Sequence, residues 1–335
     1  MTHIQLVLWA GLAIGLAFGV CGQISGFCLH RGLTEIWSGK HGYKLHGFAV
    51  ALAVALAGTQ LLAGAGVINL SESLYYMPSY SWLLVPLGGL MFGYGMSLAN
   101  GCGARALVLL GQGNLRSLLV LLCLGIAAYM TLTGLVAPLR LWLAEHTTFS
   151  PQSVAVPAGI PRNIVTWLVV ALLLWFASRT RNSGHRSTDL LSGVVMGLLV
   201  VSGWVATGWL GADDFDPVPV TSLTFVAPIG DTIQYAMIAT GMSLRFGITV
   251  VLGVVAGSFI TSLLRRTCCL EGFDTARQMP RYVMGGLLMG SGGALAFGCS
   301  IGQGLTGLST LAYGSMIAAA AIVIGARLNF VRSRA

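Results

Sequence analysis

Charge is what this sequence has least of. Asp, Glu, Lys and Arg make up 8% of its 335 residues, against about a quarter in soluble domains. Hydrophobic residues make up 56%, and mean hydropathy is +0.83. An ordinary soluble domain is thereby excluded. Residues 45–71, 73–104, 117–139, 190–212, 246–264 and 282–326 carry no charge at all. A helix needs about 20 apolar residues to cross a bilayer, so most of these runs hold one span and the last holds two. Hydrophobicity does not alternate in ten-residue units, which argues against a membrane β-barrel. Lipid offers no partner to a free backbone group, and helices are what remains.

Other absences narrow the chemistry. Residues 1–29 are uncharged but have neither a basic start nor an Ala-x-Ala cleavage site. They read as a first span or part-span, not a removed signal peptide. The seven cysteines (Cys21, Cys28, Cys102, Cys123, Cys268, Cys269, Cys299) never form Cys-x-x-Cys, which argues against a zinc or iron-sulfur site and against a secreted disulfide framework. His30, His41, His46 and His185 lie near basic loops at no metal spacing and read as solvated. Gly302 to Gly307 formally matches a dinucleotide fingerprint, but no strand precedes it. No cofactor and no metal are expected. With no ATP-binding motif, any driving force comes from a gradient or from consumption of the cargo.

What charge there is falls in four clusters. Thirteen of the 18 Lys and Arg sit at Arg31/Lys40/Lys44, Arg179/Arg181/Arg186, Arg265/Arg266/Arg277/Arg281 and Arg327/Arg332/Arg334. The positive-inside rule makes these clusters cytoplasmic, the C-terminus included. Topology thus explains the basic balance without nucleic acid. The acidic stretch Asp213-Asp214-Phe215-Asp216 and residues 140–162 then fall outside. The expected location is a bacterial or archaeal plasma membrane.

Against this background one stretch repeats. Gly285 to Ser300 aligns without a gap on Gly88 to Gly103, 197 residues earlier, with 9 of 16 positions identical and a Gly-Cys pair in both. An internal repeat in a membrane protein predicts two halves meeting at a site. The fold expected is an all-α polytopic membrane protein of two pseudo-symmetric halves, with about nine full spans plus several short re-entrant helices. Residues 1–139 form the first half, and 140–189 a linker, a crossing span and a central cytoplasmic connection. Residues 190–326 form the second half, and 327–335 a basic tail. Cys21 to Gly32 reads as a break or re-entrant turn, Pro138 to Pro161 as an outer linker without periodicity, and Thr232 to Leu244 as a partial helix. Counting crossings leaves the relative orientation of the halves open.

The repeated motifs, Gly101-Cys102-Gly103-Ala104-Arg105 and Gly298-Cys299-Ser300-Ile301-Gly302, set a thiol among residues that let a backbone approach closely. A helix ending there offers free N–H groups to an anion. A thiol is a soft, polarizable partner suited to sulfur, so the pair predicts a sulfur-bearing substrate. Cys123 on an apolar helix and Cys268-Cys269 in a basic loop read as structural. Arg105 and Arg245 border apolar sequence near the candidate site and could draw an anion inward.

At these residues the chain resembles the YeeE/YedE family of sulfur-compound transporters. The resemblance rests on Gly26-Phe27-Cys28, on Gly88 to Gly113 with its Leu98-Ala99-Asn100-Gly101-Cys102 core, on Val250 to Ile260, and on Gly285 to Leu305. It implies an inner-membrane importer of thiosulfate, or of a related sulfur or selenium species, with Cys28, Cys102 and Cys299 lining the path. A cytoplasmic sulfur-carrier protein is an implied receiver. The substrate path expected on both grounds adds Asn100, Gly101, Arg105, Gly298, Ser300 and Gly302 to the three cysteines. A membrane sulfurtransferase carrying persulfide on a cysteine is the alternative. It needs an activated thiolate, for which only Arg105 beside Cys102 offers a cation.

Overall fold

The structure is a computed structural model that describes residues 2–39, 42–76, 80–149, 162–179, 186–213, 218–273, 275 and 278–333. Lys40, His41, Pro78, Pro151, Pro157, Arg181, His185, Asp214-Phe215-Asp216, Pro217, Arg277 and Arg334 lie outside the described residues, as do the central parts of the expected outer linker and cytoplasmic connection.

The helices, in order, are α1 (His3–Ser25), α2 (Leu29–Trp37), α3 (Tyr43–Gly64), α4 (Leu84–Leu98), α5 (Gly103–Gln112), α6 (Leu115–Leu132), α7 (Ala137–His146), α8 (Arg162–Ser178), α9 (Arg186–Gly208), α10 (Val226–Met237), α11 (Phe246–Leu264), α12 (Met279–Leu295) and α13 (Tyr313–Arg332). A π-helical turn, Gly302–Gly307, lies between the last two. Six helical stretches are long and apolar enough to cross a membrane: His3–Trp37, Tyr43–Gly64, Leu115–Leu132, Ser187–Gly208, Phe246–Leu264 and Tyr313–Arg332. The chain is a multi-pass, all-helical membrane protein. Beside these six run the shorter α4, α8 and α12, of 15, 17 and 17 residues.

Local sequence explains two departures from expectation. The stretch read as an unstructured outer linker begins with α7, because Pro138 falls in the first turn, where its missing N–H costs nothing. Likewise α10 begins at Val226 with Pro228 in its first turn, upstream of the partial helix expected at Thr232.

Lipid tails are as apolar as leucine, so small residues, not hydrophobicity, bring such helices together. Helices α4 and α12 are antiparallel along a glycine seam. A Cβ on Gly88 would lie 2.6 Å from the Gly292 carbonyl oxygen and the Ala296 nitrogen. One on Gly285 would lie 3.0 Å from the Gly95 carbonyl oxygen and 2.9 Å from the Ala99 nitrogen. With the offset of 197 these two sets of contacts exchange into each other. The outer faces of the seam behave alike: Gly93 abuts Ile322 and Ala326 of α13, and Gly290 abuts Leu124 and Ala128 of α6. Elsewhere α1 lies parallel to α11, with Gly15 against Val250 and Gly19 against Val254. Helix α9 lies on α3 in the same way, with Gly193 against Gly47 and Gly197 against Ala51.

Basic residues gather at one end. There Lys44 meets Asp189 at 3.7 Å and donates to the Ser25 carbonyl at 3.0 Å, joining the ends of α1, α3 and α9. Arg281 donates to the Leu98 carbonyl and Arg332 to the Tyr94 hydroxyl, which places the ends of α4, α12 and α13 on the same face.

Candidate functional site

Three interruptions of the helices define the site. Helix α1 ends at Gly26, whose φ of 63° is left-handed, and the chain restarts one extended residue later with Cys28 as N-cap of α2. Helix α4 ends with Asn100 at φ 57°, and the Gly101 N–H returns to the Met96 carbonyl. Cys102 is then the N-cap of α5. Helix α12 ends in the same fashion, with Phe297 at φ 55° and the Gly298 N–H on the Gly293 carbonyl. Both endings have the Schellman pattern, in which a left-handed residue lets the next N–H cap the last turn. Asparagine tolerates that conformation. Phenylalanine does so at a cost of order 1 kcal/mol or more.

These breaks bring the thiols together. Cys28 and Cys102 are each 2% exposed and Cys299 is fully buried, and all are free. The Cys28 and Cys102 thiols are neighbours, and Ser300 and Cys299 stand next to Cys102. Buried Ser300 Oγ has no conventional hydrogen-bond partner. The Gly302 N–H points at Cys299 Sγ, 3.2 Å away. The site therefore presents three thiols, a buried hydroxyl and the N-terminal ends of α2 and α5 within the protein interior. Soft donors beside backbone N–H groups can hold an anion that carries both sulfur and oxygen.

Arg105, in the first turn of α5, is 9% exposed. It donates to the Gly22 carbonyl at 3.1 Å, while its Nε has no partner. Gly101 lies under its side chain, since a Cβ there would meet Arg105 Cγ at 3.3 Å. Gly302 packs closely on Thr224, because a Cβ there would stand 2.7 Å from Thr224 Oγ1. Beyond Thr224 opens a cavity of about 710 Å³, lined by Val7, Thr221, Ser222, Thr224, Asp231 and Arg245 among others. Of the expected residues, Cys28, Cys102, Cys299, Ser300, Gly101, Gly298, Gly302 and Arg105 are buried around the three breaks. Asn100 contributes its left-handed backbone, and its side chain is exposed. Arg245 is exposed at the start of α11, away from the thiols. Cys268 and Cys269 are exposed, and half-buried Cys123 packs against Gly286.

Two histidines read as solvated are not. His46 is 8% exposed, stacks on Phe176 and bonds the Gly42 carbonyl at 2.8 Å. His30, two residues past Cys28, is 4% exposed, and neither ring nitrogen has a partner. Their proximity to basic residues suggested solvent, but helical packing turned both rings inward. Tyr75, Thr224, Phe225 and Gln303 were also missed. Only Phe225 carries a signal: the offset of 197 places it at the position of Cys28, and its backbone lies beside the Cys299 thiol. Gln303 donates to the Ala296 carbonyl at 2.6 Å and thereby braces the loop bearing Cys299.

The family model described as sulphur transport matches residues 24–328. A thiosulfate transporter TsuA of Escherichia coli (strain K12) is 24% identical over 352 residues, covering 95% of this chain and 92% of that protein. A thiosulfate transporter TsuA of Spirochaeta thermophila is 25% identical over 337 residues, covering 95% and 97%.

Proposed function

The chain belongs to the sulphur transport family, and from that premise we propose that it imports thiosulfate through the buried thiol site. The observation that carries the reading is the meeting of Cys28, Cys102 and Cys299 where three helices, α1, α4 and α12, break off. An interior break is tolerated only where protein buries it or where it lines a path. Here it exposes the donors a sulfur oxyanion needs. Thiosulfate would enter by the cavity at Arg245 and Thr224 and pass Gly302 and Cys299. It would then reach Ser300 and the Cys102–Cys28 pair and leave past Arg105 toward the basic end. Thiols contact the terminal sulfur, while N–H groups and Arg105 face the oxygens. Both relatives bear the name thiosulfate transporter, which favours that substrate over a selenium species.

The reciprocal contacts of α4 with α12 support two pseudo-symmetric halves. An antiparallel seam whose contacts exchange under the repeat offset has a two-fold axis across it, lying in the membrane plane if both helices cross. The halves are then inverted relative to each other. Helices α4, α8 and α12 are three further crossings in this reading, nine in all. An odd number puts the N-terminus outside and the basic C-terminal end in the cytoplasm of a bacterial or archaeal cell. A sulfur-carrier protein would take the cargo at that end.

The test is uptake of radiolabelled thiosulfate by the purified protein in liposomes. Time-dependent accumulation that unlabelled thiosulfate competes away, and sulfate does not, is expected. Retention no greater than in empty liposomes refutes the reading.

A further inference from the structure

The repeat makes one asymmetry visible. At the offset of 197, Arg105 corresponds to Gly302 and His30 to Ala227, so neither group has a counterpart in the other copy of the repeat. His30 is the odd member of this set. It is 4% exposed on a nine-residue helix that begins at Cys28, and neither Nδ1 nor Nε2 has a hydrogen-bond partner. A buried polar group without a partner is costly and rare. An imidazole with both nitrogens free can take up a proton without surrendering an existing bond, and can then donate to an arriving anion.

We propose that His30 is the proton-binding site that couples thiosulfate import to proton movement. The inference rests on the transport reading above and supplies what it lacks, a driving ion. A dianion moving inward opposes an inside-negative potential. Each charge left uncompensated lowers the attainable accumulation roughly fifty-fold per 100 mV, and no ATP-binding motif is present to offset this.

The groups facing His30 suit such coupling. They are the Cys28 thiol and Arg31 on its own helix and Arg281 at the start of α12. Arg105 of α5 faces Arg31 and the Cys28 and Cys102 thiols. Along α3, Lys44 is paired with Asp189. Glu35 lies five residues further along α2. On α13, Arg327 is exposed and Arg332 bonds Tyr94. Cations thus dominate around the imidazole, so a dianion arriving there stabilises the added proton. By linkage the proton strengthens anion binding to the same degree. Among the residues facing this site, histidine is the one whose unperturbed charge change falls between pH 5 and 8.

The experiment uses liposomes holding an internal pH dye. In the wild type, external thiosulfate should acidify the interior. Initial uptake should rise as external pH falls from 8 to 6, up to about tenfold per pH unit where proton binding limits. His30→Gln and His30→Asn should abolish the acidification and flatten the pH profile, while exchange of internal for external thiosulfate at equal concentrations continues. Wild-type uptake without acidification overturns the proposal and leaves the transport reading intact. So does a wild-type pH profile in either variant, or loss of exchange together with uptake in both. Absence of any wild-type uptake instead removes the transport reading on which the proposal rests.

Discussion

Alanine at Gly88 tests the seam that holds the two repeated helices together. Its Cβ would stand 2.6 Å from the Gly292 carbonyl oxygen and 2.6 Å from the Ala296 nitrogen. Ordinary contact begins near 3.4 Å, so α4 and α12 must part by about 0.8 Å, and backbone atoms cannot rotate aside as a side chain would. Overpacking of this kind costs up to about 3 kcal/mol. Alanine returns about 1 kcal/mol of helix propensity. The net loss is about 2 kcal/mol, a roughly thirty-fold shift toward the unfolded state. Gly64, at the end of α3, has nothing within 4 Å of its would-be Cβ, so Gly64→Ala serves as the control and should be neutral or slightly stabilising. Unfolding in mixed micelles by increasing SDS, followed by fluorescence of the eight tryptophans, reads both. Because the contacts are reciprocal, Gly292→Ala should match Gly88→Ala. Equal stability of Gly88→Ala and Gly64→Ala would refute the tight seam.

Other parts of the structure make equally direct claims. Cys268 and Cys269 should react with a membrane-impermeant maleimide within minutes, whereas Cys28, Cys102 and Cys299 should resist until SDS is added. Mass spectrometry of the labelled peptides decides, and fast labelling of Cys299 would contradict its burial. Ser258 Oγ lies 2.5 Å from the Val108 carbonyl and 3.3 Å from Gln23 Oε1, so Ser258→Ala should cost about 0.5–1.5 kcal/mol in the same SDS titration by removing a buried hydrogen bond between α11 and α5. Tyr129→Phe removes a hydroxyl that donates to Asp231 between α6 and α10, and should cost about 1.5–3 kcal/mol because the acceptor is charged. No change in either titration would show that the contact contributes nothing to stability.

Much of this architecture is legible in the sequence, because lipid imposes simple demands. Runs without charge must be helices, and a duplicated Gly-Cys motif must lie in duplicated surroundings. The structure gives Asn100 and Phe297 the same left-handed backbone at the offset of 197. What escaped the sequence depends on three-dimensional packing. Counting crossings could not orient the two copies of the repeated stretch, whereas the contacts of Gly88 with Gly292 and of Gly285 with Gly95 give α4 and α12 opposite directions. His30 and His46 look solvated beside Arg31 and Lys44, because one residue's distance from a charge says nothing of where a helix turns its ring. The closeness of Cys28 to Cys102 was similarly hidden. It brings together residues 74 apart through two unrelated helix breaks, and the offset of 197 puts Phe225 at the position of Cys28.

The central claim is that the buried thiols lie on the path of the imported anion. The measurement that reaches it most directly is uptake of radiolabelled thiosulfate by cells lacking their own uptake systems. Cells producing the intact protein are compared with cells producing Cys28→Ala, Cys102→Ala or Cys299→Ala at matched amounts in the membrane. The account predicts robust uptake by the intact protein and at least a tenfold loss in each variant, the equivalent of about 1.4 kcal/mol at the limiting step. Uptake unchanged in Cys102→Ala and Cys299→Ala would contradict it, and would make the repeated cysteines mere packing residues at a helix crossing.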